Sequence, residues 1–271
     1  MYIYIGGGLN LKYAPDLELN VLESFWTLKT RRELKIEKPF VKRFFLDSGA
    51  FSAWSKGATI DLDRYIGFIK RFQDKIDVYA NLDNITDVKE TEDNQKRMED
   101  AGLNPLPVFH HGEPFEILDK LLDKYEYIAL GGMVPVPTVK LDPWLAICFE
   151  RICNEDGTPK RKVHGFGLTT ISLMKKFPFY SVDSVSPVLT GAMGGIMGTG
   201  GQVINLSRGK RIDEKTKLAI ETLATGYTMD QLFGDYRARV VVNIKYFQQL
   251  EKELLENPPI FINKQKRLFD L

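Results

Sequence analysis

The sequence predicts an α/β protein with the architecture of a (β/α)8 TIM barrel. Short apolar runs recur along the chain, and each ends in a polar residue or a glycine, as is typical of buried parallel strands. From Asp47 to Asp183 the ends of these runs lie about 27 residues apart, close to the length of one strand–helix unit. The chain of 271 residues fits this fold, since about 250 residues make one such barrel.

Eight segments fit the strand pattern. The first runs into three consecutive glycines, and the second ends directly before Asp47, Ser48 and Gly49. These residue types favour turns and caps, so they mark the points where the strands end. The predicted strands are 2–5, 44–46, 78–82, 106–109, 128–130, 163–164, 180–182 and 203–206.

Amphipathic segments between these strands predict helices. Apolar residues recur at three- and four-residue steps over 62–72, after the suitable N-cap Asp61, and a second stripe covers 117–122. The charged stretch 87–101 predicts an exposed helix that ends at Gly102.

The last third of the chain combines a neutral segment with a closing helix. Residues 184–207 carry no charge over a length that could span a bilayer, but six of them are glycines, which disfavour a helix. We interpret 190–201 as a loop that is either a lid over a bound base or a plain connection. Apolar spacing over 240–254 predicts the closing helix. We expect a single domain over 1–271, with the barrel at about 1–210 and a helical extension at about 211–271.

The composition excludes several classes of protein. A hydrophobic content of 44% excludes intrinsic disorder, and 37 basic against 36 acidic residues restrict any nucleic-acid contact to a local patch. The two cysteines, Cys148 and Cys153, cannot form a disulfide framework or fill a zinc site alone, so we expect buried thiols. The first ten residues lack the pattern of a signal peptide. We therefore expect a soluble, cytoplasmic protein without a metal or cofactor.

Acidic residues follow three of the predicted strands. Asp47, Asp83 and Asp183 would meet at the carboxyl-terminal edge of the barrel, where the active sites of this fold lie. Two carboxylates that face one anomeric carbon can cleave a glycosidic bond, one by attack and the other by proton transfer. Aspartate also ends strands as an ordinary cap, so the convergence of several such residues is the informative feature.

Seven segments resemble the queuine/archaeosine tRNA-guanine transglycosylase superfamily. Residues 47–51 (Asp-Ser-Gly-Ala-Phe) resemble its Asp-Ser-Gly-Gly-aromatic motif, with Ala50 in place of the second glycine. The other segments follow in the family's order. They are 79–83 (the strand of the base-recognising Asp), 109–112 (a Gln-Gln-Gly segment), 130–133 (the Gly-Gly-Leu loop), 165–167 (a Gly-x-Gly turn), 181–185 (the nucleophile strand) and 243–250 (the terminal helix).

The resemblance implies a role for each matching residue. Asp183 would attack C1′ of a nucleoside to form a covalent glycosyl-enzyme, and Asp47 would act as general acid and base. Asp83 would accept hydrogen bonds from the N–H edge of the base, and Phe51 would stack on it. The remaining base-site positions would be Ser48, His111, Gly131 and Gly132.

Departures from the family pattern indicate a different polynucleotide. His111 stands where the family has Gln, no cysteine follows Cys153 to form the family's zinc motif, and the Arg after the nucleophile is missing. These features resemble the small zinc-less relatives in phage and bacterial DNA-modification systems. The resemblance therefore implies exchange of guanine in DNA for a free 7-deazaguanine base.

The partners and the alternatives follow from the same residues. DNA is the expected polynucleotide and tRNA the alternative, and a second copy of the chain or an accessory subunit is left open. Glycoside or nucleoside hydrolysis would use the same two carboxylates, and a non-catalytic nucleic-acid-binding relative is a third possibility. The candidate phosphate contacts are Lys160, Arg161, Lys162, Arg208, Lys210 and Arg211, with Arg237 and Arg239 as further candidates.

Overall fold

Eight parallel strands form one curled sheet in the computed structural model, which describes residues 1–262 except 12, 15, 38, 39, 207–212 and 225. The order across the sheet is β4-β3-β2-β1-β8-β7-β6-β5. The predicted α/β class and the predicted parallel sheet are thereby confirmed. The strands are β1 Tyr2–Gly6, β2 Leu19–Ser24, β3 Val41–Asp47, β4 Val78–Tyr79, β5 Val108–His110, β6 Tyr127–Gly131, β7 Lys162–Gly165 and β8 Ser181–Ser184.

The two end strands of the sheet, β4 and β5, approach each other just past the end of β4. A single parallel bridge joins Ala80 and Leu106. The N–H of Asn81 donates to the carbonyl of Leu106 at 2.9 Å, and the N–H of Leu106 donates to the carbonyl of Tyr79 at the same distance. The sheet thus curls far enough for its ends to make backbone hydrogen bonds.

Helices follow most of the strands, and their caps explain where they begin. The side chains of Asp61 and Asp87 accept hydrogen bonds from backbone N–H groups three residues on, which confirms the helices predicted at 62–72 and 87–101. The helices are α1 Phe25–Leu28, α2 Ala50–Trp54, α3 Leu62–Phe72, α4 Val88–Asp100, α5 Phe115–Lys124, α6 Thr138–Ile152, α7 Ile171–Lys176, α8 Ser186–Ala192, α9 Glu214–Leu223, α10 Met229–Gly234 and α11 Tyr236–Glu256.

The assignment of one strand is wrong. The segment predicted as the eighth barrel strand, 203–206, contributes β10 (Val203–Asn205), which pairs antiparallel with β9 (Gly195–Met197) outside the main sheet. The sheet still has eight strands because β2, which the sequence did not reveal, lies between β1 and β3. β2 carries the buried polar residues Asn20 and Glu23, so it does not read as an apolar run.

The prediction of a loop at 190–201 is also wrong, because this segment contains the end of α8 and the strand β9 and packs against α11. A Cβ atom on Gly191 would lie 2.6 Å from a methyl carbon of Val240 on α11, so glycine allows a close helix contact here. Asn243 on α11 donates to the carbonyls of Pro187 and Gly195 at 3.1 and 3.2 Å. These contacts fix the segment against α11 instead of leaving it to fold over a ligand.

The sheet carries a small interior cluster distinct from the larger core beneath the helices. Tyr4, Leu22, Phe45 and Val108 belong to this interior cluster and are all buried. Because side chains two residues apart on a strand share a face, Asp47 follows Phe45 on the inward face and His110 follows Val108. The sheet interior is therefore apolar below and polar at the carboxyl ends of the strands.

None of the helices in the described part of the chain combines the length and the apolar composition needed to cross a membrane.

Candidate active site

Three carboxyl groups lie together at the carboxyl-terminal end of the sheet. Asp47 is the last residue of β3, Asp83 follows β4, and Asp183 lies near the end of β8. Burial, together with the negative charges of Asp83 and Asp183, raises the pKa of Asp47 to about 7. The sequence-based expectation that these carboxyl groups converge on one end of the sheet is thereby met.

The turn after β3 explains how Asp47 is held. Gly49 has a φ of 79°, a conformation that favours glycine, and its N–H donates to Asp47 Oδ2 at 3.0 Å. A Cβ atom at this position would lie 2.6 Å from the Cβ of Trp26. The glycine of the Asp-Ser-Gly motif is therefore required both by its backbone conformation and by its neighbour.

A buried tyrosine lies beside Asp47 and Asp83. The hydroxyl of Tyr65 donates to the carbonyl of Ala80 at 2.8 Å. Burial raises the pKa of Tyr65 well above its usual value, and the two nearby carboxylates add to this effect. Tyr65 therefore stays a neutral donor and fixes the chain just before Asp83.

Asp83 belongs to a charged hydrogen-bond network that the sequence did not reveal. Ser48 donates to Asp83 Oδ1 at 3.1 Å, and His110 Nε2 lies 2.8 Å from Asp83 Oδ2. His110 Nδ1 lies 3.1 Å from Glu113 Oε1. Burial opposes the protonation of His110, but the hydrogen bonds to the two carboxylates outweigh it and raise its pKa to about 9. At neutral pH an imidazolium therefore lies between Asp83 and Glu113.

Asp183 is held by a second network. The N–H of Gly167 donates to Asp183 Oδ1 at 2.8 Å, and His164 Nε2 lies 3.3 Å from the same oxygen. His164 is fully buried, and its Nδ1 lies 2.7 Å from Ser181 Oγ. The hydroxyl of Tyr127 lies 2.7 Å from Ser181 Oγ in turn. One oxygen of Asp183 thus receives both hydrogen bonds.

Glycine is favoured at both positions that follow Leu130, but for different physical reasons. A Cβ atom on Gly131 would lie 2.9 Å from the His110 ring and from Val108, so glycine is required by the protein itself. Gly132 has a φ of 67°, in the left-handed region that favours glycine. Close approach of a base to this backbone stays a prediction.

His111 lies near the site but outside the network around Asp83. Its ring centroid lies 5.1 Å from that of Trp144 on α6, and its backbone N–H donates to the carbonyl of Gly131 at 3.0 Å. The strand alternation explains the difference, since His110 and not His111 continues the inward face of Val108. That alternation is the sequence signal that could have identified His110.

Two exposed aromatic rings lie on the short helix α2, directly after the Asp47 motif. Phe51 is 48% exposed and Trp54 is 53% exposed, and their ring centroids lie 6.1 Å apart. Both rings are therefore accessible to a ligand. Phe51 was predicted for this role, and Trp54 was not.

The basic run 160–162 lies away from the carboxylates. Lys162 is the first residue of β7, so the run belongs to the amino-terminal end of the parallel sheet, opposite Asp47 and Asp183. Lys160, Arg161 and Lys162, predicted as phosphate contacts, therefore lie at the wrong end of the sheet to contact a nucleotide bound at the acidic residues. Arg161 donates to the carbonyl of Leu122 at 2.9 Å, which gives it a structural role.

The remaining basic candidates differ in their surroundings. Arg239 is buried, and its guanidinium donates to the carbonyls of Gly191 and Leu232 at 2.8 and 2.6 Å, so it holds α11 to its neighbours. Arg237 is exposed and lies over the ring of Tyr13 at 5.5 Å. Arg208, Lys210 and Arg211 lie outside the described residues.

The two cysteines are buried free thiols, as predicted. Burial raises the pKa of Cys148 and of Cys153 above the usual range, so both stay protonated and unreactive at neutral pH. Across the described ranges no group of three or more His, Cys, Asp and Glu side chains is arranged to hold a metal ion.

No protein family matches the chain, and no curated protein matches it in sequence. The candidate site therefore rests on its own geometry.

Proposed function

We propose that this chain is a transglycosylase that exchanges guanine in DNA for a 7-deazaguanine base. The proposal depends on the position and the pKa of Asp47. Its carboxyl group lies near those of Asp83 and Asp183 at the carboxyl end of the sheet, and its pKa is about 7. A general acid and base works best when its pKa is close to the working pH. We take the bridge between Ala80 and Leu106 as the point where the sheet closes into a barrel around this site.

The first step of the proposed reaction breaks the bond to guanine. Asp183 Oδ2 attacks C1′ of the target nucleotide, and the bond between C1′ and N9 of guanine breaks as the bond from C1′ to the carboxylate oxygen forms. The electron pair of the broken bond goes to guanine, which takes the proton of Asp47. Free guanine leaves, and the sugar is held as an ester of Asp183.

The second step uses the same groups in reverse. The ring N–H of the incoming 7-deazaguanine gives its proton to the Asp47 carboxylate, and its nitrogen attacks C1′. The bond from C1′ to Asp183 breaks, and the electron pair returns to the carboxylate. Asp47 is again protonated, so the cycle consumes no cofactor.

The network around Asp83 supports recognition of a guanine-like base. Ser48 and His110 each occupy one side of the Asp83 carboxylate, and its remaining lone pairs can accept N–H groups from a base. The positive charge of His110 lies directly beside the Asp83 carboxylate and offsets its negative charge. The exposed ring of Phe51 would stack on the same base.

DNA is proposed as the polynucleotide because the chain lacks the zinc motif of the tRNA enzymes that it resembles. The target nucleotide must leave the base stack to reach a site inside the mouth of a barrel, which costs a few kcal/mol in a duplex. We therefore expect single-stranded DNA to react faster than duplex DNA.

An exchange assay tests the proposal. Single-stranded DNA is incubated with the protein and an isotope-labelled 7-deazaguanine with a nitrile at C7, and the DNA nucleosides are analysed by mass spectrometry. Labelled nucleoside in DNA supports exchange. Release of guanine without incorporation would establish a hydrolase instead, and labelling of tRNA but not of DNA would replace the proposed substrate. The Asp183→Asn variant serves as the control for contaminating activity.

A further inference from the structure

A buried chain of hydrogen bonds crosses three neighbouring strands and ends at Asp183. Tyr127 on β6, His164 on β7 and Ser181 on β8 are linked through the distances given above, and His164 faces Ser181 in the strand register. We propose that Tyr127, Ser181 and His164 are positioning residues that orient Asp183 and direct its free oxygen at the sugar. The proposal rests on the function proposed above and adds to it the residues that orient the nucleophile.

The direction of every hydrogen bond in the chain follows from its last member. An ionised carboxylate only accepts, so His164 Nε2 must carry the proton that points at Asp183 Oδ1. In a neutral imidazole Nδ1 is then an acceptor, and the hydroxyl of Ser181 must donate to it. Ser181 Oγ is left as an acceptor, and the hydroxyl of Tyr127 donates to it. One tautomer of His164 thus satisfies all the groups.

The surroundings of His164 favour the neutral ring. Its centroid lies 4.6 Å from those of Phe45 and Phe166 and 6.1 Å from that of Tyr4. Burial among these rings lowers the pKa of His164, although the carboxylate of Asp183 acts in the opposite direction. The imidazole therefore donates to Asp183 without forming a second buried charge pair.

The hydrogen bonds at Asp183 distinguish its two oxygens. Both donors, the N–H of Gly167 and Nε2 of His164, point at Oδ1. Oδ2 receives no hydrogen bond from the described residues, so it is the oxygen free to attack C1′. In the glycosyl ester Oδ1 would become the carbonyl oxygen and keep both donors. These donors stabilise the carboxylate that forms again when the second base arrives.

The polar composition of this network favours a function over simple packing. His164 lies next to the apolar interior cluster, where an aliphatic side chain of similar volume would bury more cheaply than a polar one. Among the described residues, the two hydroxyls and the imidazole form hydrogen bonds only with one another and with Asp183. We therefore assign the network the role of orienting the Asp183 carboxylate.

Nitrogen-15 NMR of the imidazole rings tests the geometry independently of catalysis. The chain has only three histidines, so single substitutions assign each ring. We expect His164 to be neutral with its proton on Nε2 at neutral pH, and Tyr127→Phe to shift its resonances. A proton on Nδ1 of neutral His164, or titration of this ring near the usual pKa of about 6.5, would overturn the proposal.

Formation of the covalent adduct tests the positioning role. Tyr127→Phe removes the first hydroxyl of the chain, and we expect roughly a tenfold slower formation of the DNA adduct with an unchanged Kd for DNA. Tyr125→Phe is the matched control, because the Tyr125 hydroxyl donates to Glu99 on the helical side of the sheet. Equal adduct rates in wild type and Tyr127→Phe would overturn the role. A wild type without adduct but with the expected His164 tautomer would overturn the proposed function and leave the geometry of the network established.

Discussion

His110 Nε2 lies 2.8 Å from a carboxylate oxygen of Asp83, and the other ring nitrogen of His110 lies 3.1 Å from Glu113. One imidazolium therefore forms hydrogen bonds to two carboxylates at the carboxyl-terminal end of the sheet. This arrangement offsets part of the negative charge that Asp47, Asp83 and Asp183 bring together. It also links the candidate base site to α5, which begins just after Glu113.

The stability of the protein is expected to fall as the pH rises from about 6.5 to about 9. His110 has a pKa of about 9 in the folded state, so it binds its proton more tightly there than in the unfolded chain. Its contribution is complete below about pH 6.5 and is lost as the pH passes through 9, and it amounts to about 2–3 kcal/mol. Urea unfolding at several pH values measures this loss. In His110→Gln the loss over this range should be absent, and an identical pH profile in the variant would contradict the assignment.

Asp47→Asn is expected to gain stability relative to wild type as the pH rises. Since the pKa of Asp47 is raised to about 7, the folded state holds a proton that the unfolded chain releases near pH 4, and wild-type stability falls between these values. The difference should change by about 2–4 kcal/mol between pH 4 and pH 7. In the wild type, guanine release should decline above about pH 7 as Asp47 loses its proton, and in Asp47→Asn this decline should be absent. Parallel unfolding curves for the two proteins at both pH values would show that the carboxyl group is not perturbed.

Gly131→Ala is expected to destabilise the protein by about 1–3 kcal/mol. The added methyl group would lie 2.9 Å from the ring of His110 and from Val108, and these side chains lie on the crowded inward face of the sheet. Gly67→Ala is the matched control. Gly67 lies inside α3 with no atom near its added methyl group, so alanine should stabilise by about 0.5–1 kcal/mol. Urea unfolding of both variants at one pH gives the comparison, and a neutral Gly131→Ala would contradict the crowding.

Phe51→Ala is expected to weaken the binding of single-stranded DNA by about 1–3 kcal/mol, the usual value of one base stacked on an aromatic ring. Because Phe51 is half exposed, its removal should change the free energy of unfolding by less than about 0.5 kcal/mol. Leu218→Ala, on the exposed side of α9, controls for the loss of an exposed apolar side chain. Fluorescence anisotropy at a fixed salt concentration measures the Kd. Equal affinities in both variants would exclude Phe51 from the DNA site.

The rhythm of strands and helices was predictable because it depends on local patterns. Asp47 and Asp183 end or lie close to the end of apolar strands, so the sequence places them at the carboxyl edge without any knowledge of tertiary contacts. The helices at 62–72 and 87–101 were equally visible, because each has an aspartate cap and a periodic or charged surface.

The features that escaped prediction depend on partners far away in the chain. In β2, Asn20 donates to Glu251 at 2.8 Å, so a buried polar residue is satisfied by a side chain more than two hundred positions later. His164 escaped for the same reason, since its partners Ser181 and Asp183 lie on another strand. His110 differs from these cases, because the strand alternation from Val108 indicates it locally, whereas the resemblance to the Gln-Gln-Gly segment points to His111.

Trapping of the covalent intermediate tests the central claim most directly. Single-stranded DNA is mixed with the protein without an incoming base, quenched with acid, digested and analysed by mass spectrometry. We predict a deoxyribosyl adduct on the peptide that contains Asp183, present in Asp83→Asn when the DNA concentration is saturating and missing in Asp183→Asn. An adduct on another residue, or an adduct that persists in Asp183→Asn, would contradict the account.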